Sequence, residues 1–290
     1  MYWSITDVIV IWLGAAQVFI LCYTIVEILN RKKTSIDIRD NVLTIKSHGQ
    51  FNDNDFLEEF ERYTINKNTR IKIIGKDTGC HTIDLLLRNN HNITDICLSD
   101  NEIDVDGIIR LYSNPAMSHL KNLDLTKNCI GSDSMIYVSN LLVKYNFLQS
   151  LNLTDCFIKR TGILLLFDAI NRNTCLRSLE LGNNYLVPSC GDIIGRSLKR
   201  NASLRALCLY GNDLTDRGVI PILKGLVHNT TLQFLDLGHN HITNGILEFV
   251  DETHVEKLFL YDNEDITFEE SKISHQDDKI YIRRRKKDVR

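Results

Sequence analysis

The 290-residue sequence predicts an α/β solenoid: a parallel sheet on the concave side, helices on the convex side, and a transmembrane helix at the N-terminus. Three observations predict it. The pattern L-x-x-L-x-L-x-x-N-x-L, clearest at Leu204–Leu214, recurs from Leu176 and from Leu232. A helical apolar period fills the gap between successive copies, as in Thr161–Ile170 and Thr215–Leu226. Residues 8–26 form an unbroken apolar run.

Seven copies begin at Ile93, Leu120, Leu148, Leu176, Leu204, Leu232 and Val255, with steps of 27, 28, 28, 28, 28 and 23 residues. A fixed period of this size marks a solenoid, because one unit cannot bury its own apolar face and must stack on its neighbours. Within each copy L-x-L alternates with period two and reads as a short strand with its leucines on one face. The next polar position holds Asn101, Asn128, Asn184, Asn212, Asn240 and Asn263, with Cys156 in the remaining copy. A side chain there can satisfy turn groups that would otherwise be buried unpaired.

This pattern resembles the leucine-rich repeats of the ribonuclease-inhibitor type, which also form the sensor domains of NOD-like receptors and the repeats of the Ran GTPase-activating protein. The resemblance covers residues 93–266 and implies a horseshoe with a parallel concave sheet and convex helices. It extends more weakly outward. Leu43-Thr44-Ile45 and Ile71-Lys72-Ile73 lie 28 residues apart and read as degenerate strands, with a helix beginning at Phe56–Phe60 between them. Ile280-Tyr281-Ile282 reads as a closing strand, giving about ten strands in one parallel sheet. The division is an anchor and basic flank at 1–33, degenerate repeats or a cap at 34–92, repeats at 93–270, and a cap with a basic tail at 271–290.

As a helix, residues 8–26 would be roughly 28 Å long, close to the apolar thickness of a bilayer. Tyr2 and Trp3 precede the run and Arg31-Lys32-Lys33 follow it, so the positive-inside rule puts the repeats in the cytosol. A cleaved signal peptide is the competing reading. Against it stand Asp7 in place of a basic leader and the lack of a small-residue cleavage site. Eight cysteines are scattered without clustered cap pairs or metal-ligand spacing, as expected of small core residues in a reducing compartment. Sequons stand at Asn92, Asn152, Asn201 and Asn229. Those at Asn201 and Asn229 fall in the loop before a strand, where the asparagine can satisfy the end of the preceding helix.

A net charge of −3 gives no bulk signal for nucleic acid. Gly75-Lys76-Asp77-Thr78-Gly79 lacks the spacing of a phosphate loop. No catalytic constellation, cofactor motif or metal site is visible, and His239 and His241 read as solvated turn residues. Function therefore falls to the strand residues that alternate with the core leucines. Asp124, Glu180 and Asp236 repeat on alternate strands as an acidic stripe, which equally suits a solvated face. Tyr210, Phe234, Phe259 and Tyr261 gather at the C-terminal end, bordered by Lys257. Exposed aromatics on neighbouring strands suit an interface centre; alternatively the 271–290 tail covers them as a cap. The basic run Arg283, Arg284, Arg285, Lys286 and Lys287 is a free end, a contact for anionic lipid, or a docking or import signal.

The reading is a membrane-anchored, non-enzymatic scaffold that binds a protein partner on its concave face. The resemblance implies two alternatives, an activator of a small GTPase and a ligand or pathogen sensor. No residue of the Ran-activating family's machinery can be matched, and the nucleotide-binding module of the receptors is missing from this sequence.

Overall fold

The computed structural model describes residues 34–39, 42–47, 70–74, 94–263, 266 and 280–281. The apolar run 8–26, the expected helix start at Phe56–Phe60, the Gly75–Gly79 loop, Asn92 and the basic run 283–287 lie outside them. No described helix is long and apolar enough to cross a membrane.

Among the described residues eleven strands form one sheet in sequence order. They are β1 (Thr34–Arg39), β2 (Val42–Ser47), β3 (Arg70–Ile74), β4 (Asp95–Cys97), β5 (Asn122–Asp124) and β6 (Ser150–Asn152), then β7 (Ser178–Glu180), β8 (Ala206–Cys208), β9 (Phe234–Asp236), β10 (Lys257–Phe259) and β11 (Ile280–Tyr281). The expected strands at Leu43–Ile45, Ile71–Ile73 and Ile280–Ile282 correspond to β2, β3 and β11. One correction concerns β1, which pairs antiparallel with β2, so the sheet is not wholly parallel. Two residues, Asp40 and Asn41, separate the two strands, and a connection that short can only reverse the chain.

From β4 to β9 each strand is followed by a helical segment, as the alternation of period two and period 3.6 predicts. The α-helices among the described residues are α1 (Val105–Ser113), α2 (Met135–Lys144), α3 (Arg160–Arg172), α4 (Gly191–Leu198), α5 (Thr215–Leu226) and α6 (Leu247–Val250). The single turn of α6 explains the short step of 23 residues to the copy at Val255. Between sheet and helices runs a continuous leucine core. Leu179, Leu207 and Leu235 lie side by side in register, and all are buried. Replacing one such leucine with alanine costs about 2–5 kcal/mol.

The asparagine position does what its chemistry suggests, and it acts across repeats. Asn184 Oδ1 accepts from Cys156 N at 3.2 Å and Ile158 N at 2.9 Å in the preceding unit, while its Nδ2 donates to Leu153 O at 2.9 Å and Leu181 O at 3.0 Å. Asn128, Asn212 and Asn263 repeat both halves of the pattern. Cys156 manages only the donor half in strength: its Sγ donates to Leu125 O at 3.1 Å, and a thiol is a weak acceptor.

A second ladder runs through Asn173, Asn201 and Asn229 after the helices. Asn229 Nδ2 donates to Leu198 O at 2.7 Å and Asn201 O at 3.0 Å, while Oδ1 accepts from Leu232 N at 2.8 Å. Asn201 does the same with Ile170 O at 3.0 Å. These sequon asparagines are 6% and 5% exposed, so their amides belong to the core of the folded chain.

On the convex side α4 and α5 meet backbone to backbone. A Cβ added at Gly191 would strike Gly218 O, and one at Gly195 would strike Pro221 O.

Candidate functional site

The last residues of the strands from β4 on form a row across the sheet. In register it reads Cys97, Asp124, Asn152, Glu180, Cys208, Asp236, Phe259 and Tyr281. The preceding row reads Asp95, Asn122, Ser150, Ser178, Ala206, Phe234 and Lys257. Because side chains alternate across a strand, both rows stand on the face opposite the buried leucines. In β4 to β8 all these residues are half-buried by their neighbours, whereas Phe234 and Lys257 are exposed.

The small side chains of Ser178 and Ala206 leave a depression in front of β7 and β8. Its volume is about 360 Å³, and Phe234, Phe259 and Tyr261 wall it beside Glu180, Cys208 and Asp236. Phe234 is 37% exposed, with Lys257 Nζ 5.5 Å from its ring centre. Phe259 meets Tyr261 edge-on at 6.4 Å. Tyr261 stacks on Tyr210 at 5.6 Å, although the two follow strands, β10 and β8, that are separated by β9. Gly238 makes room: a Cβ there would come within 2.9 Å of Tyr210 Cδ2 and 3.0 Å of Tyr261 Cε2. Tyr210 also stacks on His239 at 5.8 Å, which directs it to the rim of the turns rather than into the depression.

The acidic stripe splits into three local environments. Asp124 accepts from Thr126 Oγ1 at 2.6 Å and Cys97 Sγ at 3.2 Å. Glu180 accepts from Asn152 Nδ2 at 2.9 Å. Burial, and then the charge of Asp124, hold its carboxyl above the ordinary carboxylate range. Asp236 accepts from Tyr261 Oη at 2.7 Å and Gly238 N at 2.9 Å. Burial, and then that bond, push the Tyr261 hydroxyl up. Burial also raises the Cys208 thiol to about 12, with Asp236 and Glu180 adding to the shift, so it remains a protonated, weakly polar wall.

Of the residues singled out in the sequence, Phe234, Asp236, Phe259, Tyr261 and Glu180 come together, with Lys257 at the edge. Asp124 stands two strands further from Glu180, and Tyr210 turns to the rim. The alternation in the sequence already turns Ser178, Ala206, Cys208 and Gly238 outward, but it does not single out the first three as lining residues or Gly238 as the gap beneath the tyrosines. The signal was the run Ser150, Ser178, Ala206 followed by Phe234 at one repeat position. Among the described residues no three His, Cys, Asp or Glu side chains gather as metal ligands. His239 and His241 are exposed with ring centres 6.0 Å apart.

Comparison with known families places a repeat model, described as leucine rich repeat, on residues 116–139, 200–223 and 228–250. Those segments run from β5 into α2, from β8 into α5, and from β9 through α6, each match falling on one strand–helix unit. These three units of the chain are leucine-rich repeats. A curated leucine-rich repeat relative is the human NACHT, LRR and PYD domains-containing protein 14, 32% identical over 103 residues, which are 34% of this chain and 9% of that one. The chain thus spans under a tenth of its relative. Among solved structures, an internalin from Listeria monocytogenes is 17% identical, covering 83% of this chain and 86% of its own at a TM-score of 0.42. The actin-binding site 2 of leiomodin-1 is 21% identical, covering 37% and 63% of the two chains at 0.35.

Proposed function

We propose that this leucine-rich repeat protein is a protein-interaction scaffold, seating its partner on the concave sheet at the C-terminal end and held to a membrane by residues 8–26. The observation that carries the partner surface is the depression walled by Phe234, Phe259 and Tyr261. Aromatic side chains on a rigid sheet lose little rotamer freedom on binding, and such anchors dominate interface energetics. The carboxylates beside them favour a partner with a basic face and speed its approach. The membrane half rests on the apolar run and the basic residues 31–33 that follow it, with the repeats on the cytosolic side and Arg283 to Lys287 adding a contact for anionic lipid.

A photo-crosslinking side chain at Ala206 of the full-length protein should trap a partner that the pair Phe234→Ala and Phe259→Ala abolishes. One at Asp168 on the convex helix α3 should trap none, and equal trapping at both sites overturns the concave assignment. Alkaline carbonate should leave the full-length chain in the membrane pellet, and protease added to intact microsomes should digest the repeats. Release of the chain into the supernatant removes the anchor from the reading.

A further inference from the structure

The depression in front of β7 and β8 combines three properties that select one kind of group. Its volume of about 360 Å³ lies at the low end of the roughly 300–1,000 Å³ typical of ligand pockets, enough for one long side chain rather than a large molecule. Its walls are aromatic, and ring faces attract cations within about 6 Å of their centres. The chain's own Lys257 already places an ammonium 5.5 Å from Phe234. Its floor carries Glu180 and Asp236 on strands either side of Cys208, about 9–10 Å apart along the sheet. Among the described residues neither acid is in an ion pair; the pair Arg172–Asp168 is on the convex side.

We propose that this depression is a guanidinium pocket, which takes a single arginine side chain from an extended, basic segment of the partner. The inference rests on the concave-face reading above and deepens it.

The choice of guanidinium over ammonium follows from the geometry. An ammonium is a compact point charge that settles on one carboxylate, whereas a guanidinium is flat, stacks on a ring and sends its donors in two directions. Both oxygens of Asp236 already accept one bond, from Gly238 N and Tyr261 Oη, and each keeps a further lone pair. Those bonds fix the carboxylate and the Tyr261 ring before any ligand arrives. A neutral ligand would cover Glu180 and Asp236 without compensating their charge, which is costly. Burial already holds Glu180 above the ordinary carboxylate range, as expected of an acid waiting for a cation.

The test uses the full-length protein and a fluorescein-labelled peptide, Gly-Ser-Ala-Ser-Arg-Ser-Ala-Ser-Gly, with versions carrying lysine or citrulline in place of arginine. Anisotropy titrations should show the arginine peptide binding several-fold tighter than the lysine one. The neutral isostere citrulline should lose about tenfold or more, as removal of one member of a charge pair generally does. Glu180→Gln and Phe259→Leu should each weaken the arginine peptide about fivefold or more without loss of the folded state, Glu180→Gln melting no lower than wild type, while Asp124→Asn should leave binding unaffected. Equal affinity for arginine and citrulline, or full binding by Glu180→Gln, overturns the proposal. If the arginine peptide neither binds nor competes while the Ala206 crosslink persists, the guanidinium pocket falls and the concave reading stands; loss of that crosslink sinks both. Binding that appears only after residues 283–287 are changed to serine identifies the occupant as this chain's own tail and overturns the assignment to a partner.

Discussion

Tyr261 stacks on Tyr210 with ring centres 5.6 Å apart, across the intervening repeat and over Gly238. Neighbouring strands lie about 4.8 Å apart, so residues two strands away start near 10 Å and meet only where the strand between them is bare. Gly238→Ala should therefore part the rings and disturb the Tyr261 bond to Asp236. Equilibrium unfolding should show a loss of about 1–3 kcal/mol, typical of overpacking. Partner crosslinking at Ala206 should fall with it; an unchanged melting curve would mean the rings do not close over that position.

Asn229→Ala removes an amide that serves Leu198 O, Asn201 O and Leu232 N together. Each buried group left unpaired costs about 1–3 kcal/mol, so denaturation should show at least about 2 kcal/mol lost. Exposed Asn146→Ala, with single bonds to Thr174, is the control and should lie within about 0.5 kcal/mol of wild type. In a glycosylation-competent extract the folded chain should gain no sugar at Asn201 or Asn229, since the acceptor nitrogens are buried.

Cys156→Asn should stabilise the chain. The thiol donates to Leu125 O but offers little to the amides that an asparagine Oδ1 bridges in other repeats, as Asn184 does for Cys156 N and Ile158 N. Restoring that acceptor should add about 1 kcal/mol, read as a higher denaturation midpoint. A lower midpoint would mean that the site has no room for the larger amide.

Much of this was legible in the sequence because a 28-residue period is stated again in each copy. Strand phase and the asparagine ladder follow from it, while the closing strand at Ile280–Tyr281 was read from its own short apolar run. The antiparallel β1 was missed because it belongs to no repeat; its signal was local, Ile36 and Ile38 pairing with Ile45 and Leu43 with only two residues between the strands. The partition of the aromatics was hidden for another reason. Periodicity says which rows face outward, but whether Tyr210 turns to His239 or into the depression depends on what Gly238 leaves empty between strands.

Glu180 should give a pH signature. Its carboxyl titrates above the ordinary range in the folded chain, so the folded state binds that proton more tightly than the unfolded state does. Stability from this group is therefore fully present below the ordinary carboxylate value and is lost as pH rises through the raised folded value. Melting temperatures of wild type and Glu180→Gln measured across that window should converge at its acidic end and separate toward neutral pH, with the glutamine variant the more stable. The opposite order would mean the carboxylate is stabilised in place rather than desolvated.

The glycine contact between α4 and α5 bears on curvature. A solenoid bends because packed helices occupy about 8–10 Å per unit on the outside while strands take about 4.8 Å inside. Where Gly191 and Gly195 let two helices touch through their backbones, the outer circumference shortens and the arc relaxes toward a straight line. Those helices follow β7 and β8, the strands that present Ser178 and Ala206. A backbone contact of that kind behind β7 and β8 favours a shallower arc where the depression opens, the shape that a long, unbent segment needs in order to lie across neighbouring strands.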